Sequence, residues 1–194
     1  MNGPRPGRPR LRRLFFALWP DPALRRALAG ATADAAAWAA GSRMPPANLH
    51  VTLAFLGMVP EDDIPELLAI GQRGHWPRIQ LDFDRVEYWR KPKVLVAMPV
   101  TIPEAGVRIV DLLWSPLEQL GYEREARPWL PHLTLVRKVS RPPPRGEELP
   151  IPPRPARDAG AWKLALVESV TDPAGPRYTP LARWALKGDA SHLS

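Results

Sequence analysis

Two short segments carry side chains suited to acid–base chemistry. Residues 50–53 read His-Val-Thr-Leu and residues 132–135 read His-Leu-Thr-Leu. An ordinary imidazole titrates near neutrality, so of two histidines facing one pocket, one can hold a proton while the other accepts one. Such a pair suits a phosphodiester. The neutral ring activates a nucleophile, the protonated ring supplies the leaving oxygen, and nearby hydroxyls hold the non-bridging oxygens where charge gathers. The residues alone leave open which histidine takes which role.

Both segments read as strands, over residues 49–56 and 132–139. Side chains two apart on a strand share a face. His50 and Thr52 therefore fall on one face, as do His132 and Thr134. Val51, Leu53, Leu133 and Leu135 point the other way and anchor each strand in a core. Strict alternation turns Arg137 away from Thr134 unless a bulge intervenes. Neither segment has a second histidine or a carboxylate at metal-ligand spacing, so no metal or other cofactor is expected. His75, in Gly-Gln-Arg-Gly-His-Trp-Pro, reads as a loop residue, and His192 as part of a terminal tail.

The elements that must position these strands are legible in outline. An apolar run at 11–19 has strand length, and Asp21-Pro22 looks like a helix N-cap with proline at the first turn. The Ala-rich stretch 23–40 reads as one helix ended by Gly41. Further helices are expected at 61–72 and 103–120, the latter capped by Gly121. Gly57 closes the first motif strand. Strands are expected at 79–89, 94–99, 162–171 and 181–186. This order mixes helices and strands without regular alternation, which favours an α+β fold with largely antiparallel sheets. The two motif segments lie 82 residues apart, each after a helical stretch, which hints at two related lobes.

Composition narrows the setting. The chain has 194 residues and no Cys, which rules out disulfides, a thiolate nucleophile and Cys-ligated zinc, and fits the cytoplasm. No apolar run is long enough to span a bilayer, so no membrane partner is expected. The net charge is +7, but residues 1–13 hold five Arg and no acid. The remaining 22 basic residues face 20 acidic ones, leaving +2. A basic, proline-biased extension over 1–10 can touch phosphates without sequence preference. The Pro-rich stretch at 142–155 reads as an exposed loop. With no dimerisation signature, a monomer is expected.

On the stretches RLFFALWP (13–20), NLHVTLAFLG (48–57), PHLTLVRK (131–138) and RYTPLARWAL (177–186), the chain resembles the RNA 2′,3′-cyclic phosphodiesterases, also called 2′-5′ RNA ligases, of the 2H phosphoesterase superfamily. The resemblance covers about residues 11–188, read as one bilobal domain before a tail at 189–194. It implies two antiparallel sheets backed by helices around a central cleft. It implies hydrolysis of RNA 2′,3′-cyclic phosphate ends to 2′-phosphomonoesters, with a slow reverse 2′-5′ ligation. By the same resemblance His50 is the proton donor and His132 the acceptor, Thr52 and Thr134 bind phosphate, and Arg137 contacts phosphate or ribose. Phe16 reads as a base-stacking residue or as core. Arg177 and Tyr178 read as cleft lining or as a solvated turn. The motifs specify phosphoryl chemistry rather than the leaving nucleoside, so a small cyclic nucleotide or a 2′-5′ oligoadenylate remains the alternative substrate.

Overall fold

The computed structural model describes residues 10–141, 161–172 and 175–187. The expectations for the N-terminal extension, the proline-rich loop and His192 fall outside these residues. Eight strands and four α-helices are described: β1 (Leu11–Pro20), α1 (Pro22–Ala31), α2 (Ala33–Ala37), β2 (Ala40–Arg43), β3 (Val51–Pro60), α3 (Ile64–Arg73), β4 (Arg85–Trp89), β5 (Val94–Met98), α4 (Glu104–Gln119), β6 (Leu133–Arg141), β7 (Trp162–Asp172) and β8 (Gly175–Ala185). They build two four-stranded sheets, ordered β3-β1-β7-β8 and β2-β6-β5-β4, with every pairing antiparallel. The fold is α+β, as the element order implies. No described helix is long and apolar enough to cross a membrane.

From Leu14 onward β1 is buried on both faces, which explains its unbroken apolar run. Leu14, Phe16 and Leu18 enter the main core with Leu164 and Leu166 of β7. Phe15, Ala17 and Trp19 enter a second cluster with Ala165, Val167 and Tyr178. The main core also takes in Leu133, Leu135 and Val136 of β6 and Ile109, Leu113 and Leu117 of α4, so it joins the two sheets. Burying a Leu- or Phe-sized side chain contributes about 1.5–3 kcal/mol, so these residues fix both motif strands in place.

Local capping follows the sequence. Asp21 Oδ1 accepts the Leu24 N–H at 2.8 Å, and Pro22 opens α1. Gly121 adopts φ +86° just beyond α4, where a left-handed residue lets Gly121 and Tyr122 donate back into the last turn.

Several expectations are corrected. Residues 23–40 are not one helix. The Thr32 hydroxyl bonds the Leu28 carbonyl at 2.8 Å and α1 ends there; a short α2 follows, and residues 40–43 form β2 on β6. Helix propensity in this Ala-rich stretch loses to strand pairing at its end. Gly41 is thus no helix cap but a point of close approach, where an added Cβ would stand 2.7 Å from the Arg137 carbonyl oxygen. Gly57 does not close the strand. It adopts φ +75° opposite Leu14 and β3 runs through it to Pro60. Only residues 85–89 of the stretch 79–89 form a ladder. Ile79, Leu81 and Phe83 alternate because they fill the core, not because they pair. A single turn at Glu61–Asp63 precedes α3. The last strand begins earlier than expected, at Gly175.

Both motif strands carry a bulge at the same motif position. In β3, Phe16 lies opposite Ala54 and Ala17 opposite Thr52, so Leu53 is the extra residue. In β6, Leu95 lies opposite Val136 and Val96 opposite Thr134, so Leu135 is extra. Each bulge buries two consecutive residues, Leu53–Ala54 and Leu135–Val136, and returns Phe55 and Arg137 to the faces of Thr52 and Thr134. Gly41 lies against the Arg137 backbone beside the second bulge. Gly41→Ala is expected to destabilise the protein by about 1–3 kcal/mol, because neighbouring backbone cannot yield cheaply. The midpoint of denaturant unfolding measures this.

Candidate active site

His50 stands just before β3, against the second cluster. Its ring centroid is 5.0 Å from Phe15, 5.8 Å from Trp19 and 5.0 Å from Tyr178. Trp19 lies nearly parallel to it, at 17°, and Tyr178 presents its edge, at 80°. Phe15 and Trp19 are four apart on β1 and share its cleft face. His132 immediately precedes β6, and its ring lies 4.6 Å from that of Trp89, at the end of β4.

The two imidazoles are held in the same way. His50 Nδ1 lies 2.6 Å from the Asn48 carbonyl oxygen, and His132 Nδ1 lies 2.9 Å from that of Leu130. A carbonyl oxygen only accepts, so each Nδ1 carries the hydrogen, and Nε2 is the atom left for chemistry. Asn48 is itself fixed, because its buried side chain donates from Nδ2 to the Pro176 carbonyl at 2.8 Å, where β8 begins.

Arg137 connects the two sheets. Its Nη2 donates to the Tyr178 hydroxyl at 3.1 Å, so a β6 side chain meets the β8 residue that packs against His50. Its Nε is buried with no hydrogen-bond partner among the described residues. A guanidinium with a donor left unpaired suits a phosphate or carboxylate.

Burial pushes the His50 imidazole down from 6.5 to about 4. The Asn48 carbonyl opposes that shift, and the positive charges of Arg137 and of protonated His132 add to it. The last effect places the two histidines within electrostatic reach of each other. His132 is also held below the ordinary imidazole range, chiefly by burial, with the Leu130 carbonyl opposing and Arg127 and Arg137 adding. With no substrate bound, both rings are neutral at pH 7.

Thr52 and His132 line a cavity of about 580 Å³ together with Phe55, Trp89, Trp114 and Trp129. Trp129 is fixed by its Nε1–H, which donates to the Thr52 carbonyl at 2.8 Å. Thr134 lies opposite Val96, half-buried, on the strand that carries His132 and Arg137. Among the described residues, no group of three or more His, Cys, Asp or Glu side chains is arranged to hold a metal ion.

The structure thus brings His50, His132, Arg137 and Tyr178 into one cleft, with Thr52 on its wall. Two candidates lie elsewhere. Phe16 is fully buried on the core face of β1, 6.3 Å from Trp184, because its neighbour Phe15 takes the cleft face. Arg177 is exposed. It lies opposite Val170, on the face of β8 away from Tyr178, and its charge acts on Glu168. His75 is an exposed loop residue. Phe15, Trp19, Asn48, Trp89 and Trp129 were missed from sequence. With β1 apolar on both faces, its period gave no sign of which face meets His50. The bonds of Asn48 and Trp129 are made to distant backbone, which no local pattern records.

A family model described as LigT like Phosphoesterase matches residues 18–96. An RNA 2′,3′-cyclic phosphodiesterase of Thermus thermophilus is 32% identical over 193 residues, which covers 91% of this chain and 91% of that protein. One from Escherichia coli is 31% identical over 179 residues, covering 90% and 96%. The crystal structure of E. coli LigT complexed with 3′-AMP matches with a TM-score of 0.73 at 29% identity, covering 92% of this chain and 99% of that one. A second crystal structure, of a T. thermophilus protein, matches with a TM-score of 0.73 at 30% identity, covering 91% and 99%.

The electrostatics of the cleft predict a titration. NMR of free His50 is expected to give a pKa near 4, and Arg137→Gln is expected to move it upward, because removing a nearby positive charge eases protonation. A folded-state value below the unfolded 6.5 means that the unfolded chain binds more protons between the two. Stability from this group is therefore complete above about 6.5 and is lost as pH falls towards 4. An unchanged His50 titration in Arg137→Gln would show that the guanidinium does not act on this ring.

Proposed function

The chain belongs to the LigT-like phosphoesterase family of RNA 2′,3′-cyclic phosphodiesterases, and on that premise we propose that it opens RNA 2′,3′-cyclic phosphate ends to 2′-phosphomonoesters with His50 and His132 as its acid–base pair. The observation that carries this reading is the matched presentation of two imidazoles. Both are bonded through Nδ1 to the carbonyl two residues earlier, and both keep Nε2 for the cleft.

In this mechanism the cyclic phosphate binds between the histidines. Arg137 and the hydroxyls of Thr52 and Thr134 hold its non-bridging oxygens. His132 Nε2 takes a proton from water as the water oxygen bonds to phosphorus. The P–O3′ bond breaks, and His50 delivers a proton from Nε2 to O3′, leaving the phosphate on O2′. The low His50 pKa supports its part as donor, since a weakly basic ring is a strong acid once protonated. Its protonation is tied to the substrate, because the phosphodiester charge favours the imidazolium and offsets Arg137. The unpaired Arg137 Nε supports a role in that binding.

The cysteine-free composition supports a cytoplasmic setting.

The test is hydrolysis of a short RNA ending in a 2′,3′-cyclic phosphate, with EDTA present. The expected product is the 2′-phosphate; no turnover of such ends would overturn the reading. His50→Ala and His132→Ala should each lower kcat/KM by about 10²–10⁴-fold while circular dichroism stays unchanged. The pH profile of kcat/KM should be bell-shaped, with both limbs below the ordinary imidazole range because both rings are held down in the free protein.

A further inference from the structure

We infer that Arg25 and Arg183, beyond Trp19 on the cleft face of the first sheet, form a second phosphate subsite that holds the phosphodiester joining the reacting nucleotide to the rest of the RNA. The inference rests on the reading above and deepens it. The substrate is then a polynucleotide end rather than a free cyclic mononucleotide.

Residues that pair directly across an antiparallel ladder share a face. Trp19 pairs with Lys163 of β7, and Lys163 with Ala185 of β8. Ala17 pairs with Ala165, and Ala165 with Arg183. Lys163 and Arg183 therefore stand on the face from which Phe15 and Trp19 meet His50, and both are exposed. Arg25 reaches the same place from α1. Its guanidinium carbon lies 5.5 Å from the centre of the Trp19 ring, and Trp19 stacks on His50 at 5.8 Å. Three cations thus extend the cleft one ring beyond His50.

These cations lack the partners found elsewhere in the molecule. Five arginines are paired with carboxylates. Among the described residues, Arg25, Arg183 and Lys163 form no ion pair. Arg183 instead places a second positive charge within electrostatic reach of Arg25. Asp21 offsets this in part, but its Oδ1 is engaged by the Leu24 N–H. Of the five donors on Arg25, only Nη2 has an acceptor among the described residues, the Pro20 carbonyl at 3.1 Å. Its Nε is buried without one, and so is Nε1 of Trp19. Buried donors are normally satisfied. A cation–π contact accounts for Arg25 lying over Trp19, but not for bringing Arg183 near it. A phosphate answers both features, because its oxygens accept from guanidinium groups and its charge offsets two cations.

The proposed chemistry identifies the phosphate. His50 delivers its proton to O3′, so it stands on the ribose side of the cyclic phosphate. The RNA continues from that ribose through O5′ to the preceding phosphodiester. Tyr178, which bonds Arg137, and Arg183 lie at separate points along β8, so each phosphate has its own arginine.

The test compares kcat/KM for two dinucleotides of the same bases, each ending in a 2′,3′-cyclic phosphate. One has the natural internal phosphodiester and the other an uncharged methylphosphonate. The wild type should prefer the charged linkage on the order of tenfold or more, as expected of a charge-assisted hydrogen bond. The preference should shrink as salt rises. Arg183→Glu reverses a charge at an exposed position and should bring the ratio to about one or below, whereas Arg183→Lys should keep part of it. The ratio is taken within each protein, so a general loss of activity does not imitate the effect. Equal turnover of the two substrates by the wild type, or a preference unaltered in Arg183→Glu, overturns the subsite. Failure of the wild type to open the cyclic phosphate of either substrate sinks the cyclic-phosphate reading instead, and this inference with it.

Discussion

Each motif imidazole is tied by its Nδ1–H to the carbonyl two residues earlier in its own chain. That bond fixes the tautomer, aims Nε2 at the cleft and limits rotation about the ring's side-chain bonds. The rest of the structure serves to hold those two carbonyls in place. Asn48 is clamped to the start of β8 through its own side chain. Leu130 leads directly into β6, whose Leu133, Leu135 and Val136 sit in the shared core. Neutral imidazoles fit this scheme well, since a half-buried ring with one satisfied N–H carries no charge needing solvent.

The bulges after Thr52 and Thr134 add a second constraint. A regular strand would present His, Thr and then the residue two further on. With one extra residue buried, the cleft instead meets Phe55 in one sheet and Arg137 in the other. The two motifs therefore build different walls from the same local geometry. One wall is aromatic and leads into the cavity beside His132. The other is cationic and reaches across to Tyr178.

Burial sets the electrostatic character of the cleft. Rings of Phe15, Trp19 and Tyr178 surround His50 and remove water from it. Arg137 brings positive charge near without forming an ion pair among the described residues. Among the described residues the site thus lacks the negative charge that an imidazolium and a guanidinium both favour, which the phosphodiester of the proposed substrate would supply. In the proposed mechanism substrate binding and protonation of His50 are thereby coupled.

Some of this was legible in the sequence. Residues 50–53 and 132–135 alone determined that two histidines and two threonines stand at the heads of anchored strands, because strand alternation is local and the apolar partners Val51, Leu53, Leu133 and Leu135 mark the buried face. The α+β class followed from the order of elements, and the cap at Asp21 from residue type. What lies across the cleft was decided only in the tertiary structure. Phe15 rather than Phe16 meets His50, because β1 is apolar on both faces and its sequence cannot distinguish them. Arg137 enters the cleft only because β6 bulges at Leu135 where it pairs with β5. Tyr178 and Arg177, adjacent in sequence, separate to opposite faces once β8 pairs with β7. Residues 40–43 are a strand and not a helix end because β6 offers them an edge. In each case the deciding partner is distant along the chain, and local residue preferences carry no record of it.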